Sequence, residues 1–148
     1  MKRILLVILP MIMLSTMMCT QPADQTAQEE KVNEVITKFN QRFDNKDLTG
    51  MIEYFRDDCR WYTLNGIILK KDQIIPFFEP LIIEWKTIET DIKIFDTTIM
   101  DRTAIVRFGT KLKIDSAPDR NSMKNLHTAV LKFELGEWKI WHHHMSSK

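Results

Sequence analysis

The hydrophobic period changes once along this chain, and that change limits the fold more than any other feature. Up to residue 84 apolar side chains recur mostly every three or four positions, as on helices buried along one stripe. From residue 87 onward they recur every second position, as on strands buried on one face. A chain of 148 residues, 44% of them hydrophobic, can fill one core but not two ordinary domains. Helices first and long strands after predict one α+β domain: a curved antiparallel sheet wrapped around N-terminal helices. Such a cone is open at one end and leaves a cavity there.

The elements follow from the same periods. Val32, Val35, Ile36, Phe39 and Phe43 lie on one stripe of a helix over residues 29–45, which Asp44-Asn45-Lys46-Asp47 ends. A short second helix carries Leu48, Met51, Ile52 and Phe55 inward. Residues 60–64, Arg-Trp-Tyr-Thr-Leu, read as a strand turning at Asn65-Gly66, where a hairpin can form. Ile74, Ile75, Phe77, Phe78, Leu81 and Ile82 mark a third helix over residues 71–84, irregular at Pro76 and Pro80. Residues 87–95 then alternate, and residues 103–114 set Ala104, Val106, Phe108, Leu112 and Ile114 on one face. After a polar loop, residues 126–135 turn at Gly136 into a terminal strand over residues 138–146, completing a meander.

The N-terminus reads separately. Met1-Lys2-Arg3 and the apolar run to Leu14, broken by Pro10, form a secretory signal. The run is shorter than the roughly 18–20 residues a spanning helix needs. Ser15-Thr16-Met17-Met18-Cys19 resembles the lipobox of bacterial lipoproteins, which implies that Cys19 is acylated and tethers an exported protein to the cell envelope, in the periplasm. Met18 stands where lipoboxes carry a small residue, and ordinary secretion with cleavage near Ala23 or Ala27 is the alternative. The expected organisation is a signal over residues 1–19, a flexible tether over 20–28 and one domain over 29–148. With Cys19 consumed, Cys59 is the remaining thiol, so no internal disulfide is expected and Cys59 reads as a small buried apolar residue. With 21 basic against 20 acidic residues and no basic cluster, the chain lacks the electrostatic footprint of a nucleic-acid partner. Membrane contact is expected only through the lipid anchor.

The terminal strand holds three of the four histidines and two of the four tryptophans. Strict alternation puts Trp138, Ile140, His142, His144 and Ser146 on one face, and Lys139, Trp141, His143 and Met145 on the other. The first face reads as a pocket wall, with His142 and His144, and His127 from the neighbouring strand, as candidate catalytic acid/base or ligand-binding groups. The other reading of the cluster is a structural hydrogen-bond network with Ser146. Two imidazoles on one strand without a companion carboxylate do not make a metal centre, and no metal or cofactor is expected. Trp61, Thr63, Tyr54, Phe78 and Ser146 are the candidate pocket lining, and their aromatic character points to a small, largely apolar organic ligand. Trp141 beside Met145 on the second face points to a homodimer through the outside of the sheet.

Three stretches carry a family resemblance. The first helix leads through Asp47 into Tyr54-Phe55-Arg56-Asp57-Asp58-Cys59-Arg60-Trp61. Gly66 follows at a turn, and Trp138-Lys139-Ile140 with His142, His144 and Ser146 closes the chain. In that order they resemble the nuclear transport factor 2-like superfamily, and within it the SnoaL-like and ketosteroid-isomerase-like domains of secreted bacterial proteins. The closing strand is also similar to that of the association domain of calmodulin-dependent kinase II. The resemblance spans residues 29–147 and implies the cone-shaped α+β fold with a pocket. It also implies a departure. The position of the ketosteroid isomerases' catalytic aspartate falls on Thr63, which cannot be that base. The first helix offers Phe39 and Phe43 where a phenol would bind the oxyanion. Steroid-type isomerisation is therefore disfavoured. Two functions stay open, a small-molecule binder or enzyme and a non-catalytic association module, and the sequence does not decide whether there is turnover.

Overall fold

The computed structural model describes residues 22–115 and 122–147. The expected signal segment and Cys19 lie outside the described residues. In chain order the elements are α1 Pro22–Asp44, α2 Leu48–Ile52, β1 Phe55–Tyr62, β2 Ile68–Leu69, α3 Lys71–Ile83, β3 Ile88–Met100, β4 Thr103–Ile114, β5 Met123–Glu134 and β6 Glu137–Ser147. The strands form one curved, unclosed sheet in the order β2-β1-β6-β5-β4-β3. All neighbours are antiparallel except β1 and β6, which run parallel. This is the α+β architecture that the change of period predicts. The Asn65-Gly66 turn is a hairpin, closed by Thr63 N donating to Ile67 O at 2.9 Å, with Gly66 at φ 75°.

Two boundaries differ from the sequence reading. α1 begins at Pro22, so residues 22–28 are helical and not a flexible tether. Gln25, Ala27 and Gln28 sustain a helix without an apolar stripe, and Gln28 Oε1 accepts from Trp138 Nε1 at 3.0 Å, tying this end to β6. β1 begins at Phe55, so that ring belongs to a strand and not to the second helix. α2 is correspondingly short, capped by Asp47, whose Oδ1 accepts from Gly50 N at 2.8 Å.

The core lies between the helices and the inner face of the sheet. Val32, Ile36 and Phe39 of α1 and Ile74 and Phe78 of α3 are buried against Ala104, Val106 and Phe108 of β4, Leu131 of β5 and Ile140 of β6. Cys59 is fully buried in β1, and desolvation pushes its thiol up to about 11, as suits a packed and unreactive side chain.

One irregularity governs the site. Along β5 and β6 the pairing steps from Leu131↔Ile140 to Val130↔His142, which leaves Trp141 as an extra residue in β6. This β-bulge reverses the alternation of everything after it. Ile140 and His143 both point inward, at 0% and 1% exposure, while His144 is exposed. The expected faces hold as far as Ile140 and are exchanged beyond Trp141.

Candidate functional site

The open end of the cone is a cavity of about 320 Å³ between α1, α3 and the inner face of the sheet. Its apolar wall is built from α1 (Phe39, Phe43), β1 (Trp61) and α3 (Phe77, Phe78), with Leu112, Met123 and Met145 from the sheet. Helical spacing on α1 and α3 turns these rings toward β1, where they interlock. Trp61 lies 4.7 Å from Phe78 and 5.7 Å from Phe39, centroid to centroid. Against this wall stand neutral polar groups: Asn40, Thr63, Thr90, Thr110, Asn125, His127 and His143. No lining residue carries a charge.

The polar groups are organised around His127. Its ring stacks on Phe108 with centroids 4.6 Å apart and planes 6° from parallel. Its Nε2 shares a hydrogen bond with Thr110 Oγ1 at 2.8 Å, and its Nδ1 another with His143 Nε2 at 3.1 Å. Three side chains from β4, β5 and β6 thus form one chain of hydrogen bonds along the wall. Desolvation, with the His144 charge as the smaller cause, lowers the His127 pKa to about 4. Desolvation also holds His143 well below its ordinary value, helped by His127 and His144. Both imidazoles are neutral at physiological pH. The Asn125 side chain makes no hydrogen bond among the described residues and presents its amide to the cavity. Asn40 uses its Nδ2 on Ile36 O at 2.8 Å, which leaves its carbonyl oxygen as an acceptor.

The structure brings together only some of the candidates. Trp61, Thr63, Phe78 and His127 line the cavity. His142 and His144 do not: the bulge at Trp141 puts them on the outer face, flanking the Tyr62 ring at 6.2 and 6.1 Å. Their expected place in the wall is taken by His143. Ser146 is on the outer face for the same reason, its hydroxyl 3.5 Å from Leu126 O. Tyr54 sits outside the cavity, in a shallow surface groove with Lys38 and Glu53. Met145, expected outside with Trp141, lines the cavity, while the Trp141 indole lies under Lys132 Nζ, 5.1 Å from the ring centre. Among the described residues no three His, Cys, Asp or Glu side chains gather as a metal cluster.

Among the polar residues of the wall, sequence reasoning passed over Asn40, Thr90, Thr110 and Asn125 and placed His143 on the opposite face. Thr110 had a signal: it falls between Phe108 and Leu112 on an otherwise apolar inward face, and a polar residue there needs a partner.

A sequence profile of the SnoaL-like domain matches residues 32–148. The chain belongs to the SnoaL-like domain family. The profile match, with a fold shared by structures described as NTF2-like, places this SnoaL-like domain in the nuclear transport factor 2-like superfamily. Similar solved structures include a candidate dehydratase of that superfamily from Streptomyces avermitilis, at TM-score 0.75 and 14% identity over 84% of this chain and 98% of the other. A candidate scytalone dehydratase from Novosphingobium aromaticivorans matches at TM-score 0.75 and 11% identity, over 84% and 86%. A candidate calcium/calmodulin-dependent protein kinase type II association domain from Thiobacillus denitrificans matches at TM-score 0.66 and 14% identity, over 77% and 92%. At such identities the likeness is one of fold. No curated protein matches this SnoaL-like domain in sequence.

Proposed function

We propose that this SnoaL-like domain binds an uncharged small organic molecule with a flat, largely apolar body. The observation that carries the reading is a cavity of about 320 Å³ with aromatic walls, neutral polar groups and no charged lining residue. An ion entering it would lose hydration without gaining a counter-charge. A ring system would gain apolar burial and edge-to-face contacts. The Asn125 amide and the His127 chain supply polar contacts that fix orientation. The dehydratase names of two structural neighbours make elimination of water one reaction to screen for. The histidine chain can hold or pass a proton at the wall without carrying charge.

The test is a thermal-shift screen against aromatic alcohols, ketones and acids, repeated on Leu112→Trp, which fills the cavity. Stabilisation by neutral aromatics that disappears in the filled variant supports the reading. Stabilisation that persists unchanged in Leu112→Trp places binding elsewhere.

Two further elements belong to the proposal. The chain is exported and held at the envelope through Cys19; a palmitate analogue should label it, and equal labelling of Cys19→Ser would exclude the anchor. It also forms a homodimer through the outer sheet face, where Phe95 and Leu126 are 52% and 37% exposed. Sedimentation of the protein at high concentration tests this, and an unchanging monomer would exclude it.

A further inference from the structure

Two buried polar atoms of this cavity have no hydrogen-bond partner among the described residues, Trp61 Nε1 and His143 Nδ1. Both side chains line the cavity, are 3% and 1% exposed, and have ring centroids 4.7 Å apart. An unsatisfied buried polar atom is costly, and native chains rarely leave two in one corner. We propose that these two atoms form an oxygen subsite in the wall of the pocket, which takes a carbonyl or hydroxyl oxygen of the bound molecule. The inference rests on the pocket reading above and adds which part of the ligand is read, and by which atoms.

The chemistry of the two groups restricts the occupant. An indole N–H only donates, so the ligand atom facing Trp61 must accept. His143 is less fixed, because its other nitrogen is wired through His127 to Thr110. The neutral chain has two proton arrangements. In one, the Thr110 hydroxyl donates to His127 Nε2, His127 Nδ1–H donates to His143 Nε2, and His143 Nδ1–H is left to donate to the ligand. A carbonyl oxygen accepting from both rings fits this arrangement. In the other, every bond is reversed: His143 Nε2–H donates to His127 Nδ1, His127 Nε2–H donates to Thr110 Oγ1, and His143 Nδ1 accepts. A hydroxyl that accepts from Trp61 and donates to His143 fits that one.

The subsite therefore takes either oxygen with no change of net charge. A carboxylate suits neither arrangement, since no lysine or arginine lines the cavity to balance it. An ammonium group cannot accept from the indole at all.

The experiment compares three probes on one naphthalene frame, 2-acetylnaphthalene, 2-naphthol and 2-ethylnaphthalene, by calorimetry on the full domain and on Trp61→Phe. The ketone and the naphthol should bind at least about tenfold tighter than the hydrocarbon, in line with a buried hydrogen bond gained. Trp61→Phe should shrink that preference, read as the ratio of oxygenated-probe to hydrocarbon affinity within the variant itself. Nitrogen-15 spectra of the imidazoles, which need no variant, should show the proton on His143 Nδ1 with the ketone and on Nε2 with the naphthol. Equal affinity for all three probes, or one His143 tautomer throughout, overturns the subsite while the pocket reading stands. Binding of none of the three removes the pocket reading and the subsite with it.

Discussion

Mild acid should destabilise this domain through His127. The imidazole is packed against Phe108, and desolvation lowers its pKa from 6.5 to about 4. The unfolded chain takes up the proton as pH falls through 6.5, whereas the folded chain does not until about 4. Between those values the unfolded state binds more protons, so stability falls as pH falls; above 6.5 the group contributes nothing. The limiting slope is about 1.4 kcal/mol per pH unit. Integrated from pH 7.5 to pH 5, the loss from His127 alone is about 2 kcal/mol. His143, shifted the same way by its own desolvation, adds a loss of the same sign. Asp44, whose carboxyl is raised by burial, works in the opposite direction. The His127 contribution is isolated by comparing urea unfolding of the wild type and His127→Gln at the two pH values. The wild type should lose about 2 kcal/mol more than the variant over that interval. If both lose the same amount, the fold does not hold His127 neutral, and the argument for an uncharged occupant fails with it.

Three other outcomes follow from the packing. Cys59, whose thiol burial raises from 9.0 to about 11, ionises first in the unfolded chain, so stability should fall by about 2 kcal/mol between those pH values; unfolding curves of Cys59→Ala should lack this alkaline loss. Asp47→Ala removes both the cap on Gly50 N and the partner of Arg42 at 2.7 Å, and should cost about 1 kcal/mol in urea unfolding; an unchanged midpoint would mean the cap contributes nothing. Trp138→Phe keeps the ring but loses the bond to Gln28, so hydrogen exchange over residues 24–28 should quicken with little change in global stability. Protection retained there would show that α1 holds its own start.

Much of the fold was legible because burial on one face imposes a period, and the period is written residue by residue. Ile36 and Phe39, Val106 and Phe108, and Leu131 are inward in the structure for the reason they are apolar in the sequence. The start of α1 was not legible, because residues 22–28 are held by helix propensity and one tryptophan contact and not by an apolar stripe. Trp61, Thr63, Phe78 and His127 line the cavity, and none of them lies on β6, where the extra residue exchanges the two faces.

The remainder of the site turns on a single residue. A bulge is a property of how two strands pair, and nothing in Trp138-Lys139-Ile140-Trp141 marks the indole as the residue left over. Its consequence is chemical as well as geometric. Without the bulge, two imidazoles would face the cavity two positions apart, with Ser146 beyond them and His143 outside. With it, a single imidazole enters, meets His127 at 3.1 Å and Phe39 edge-on at 5.5 Å, and is sealed from water. A pair of wall histidines near the mouth would titrate with solvent and suit a charged ligand. One sealed histidine joined to His127 and Thr110 is held neutral, and can choose only which of its nitrogens carries the proton. The extra residue in β6 thus sets both the position of the site's polar groups and the kind of ligand they can meet.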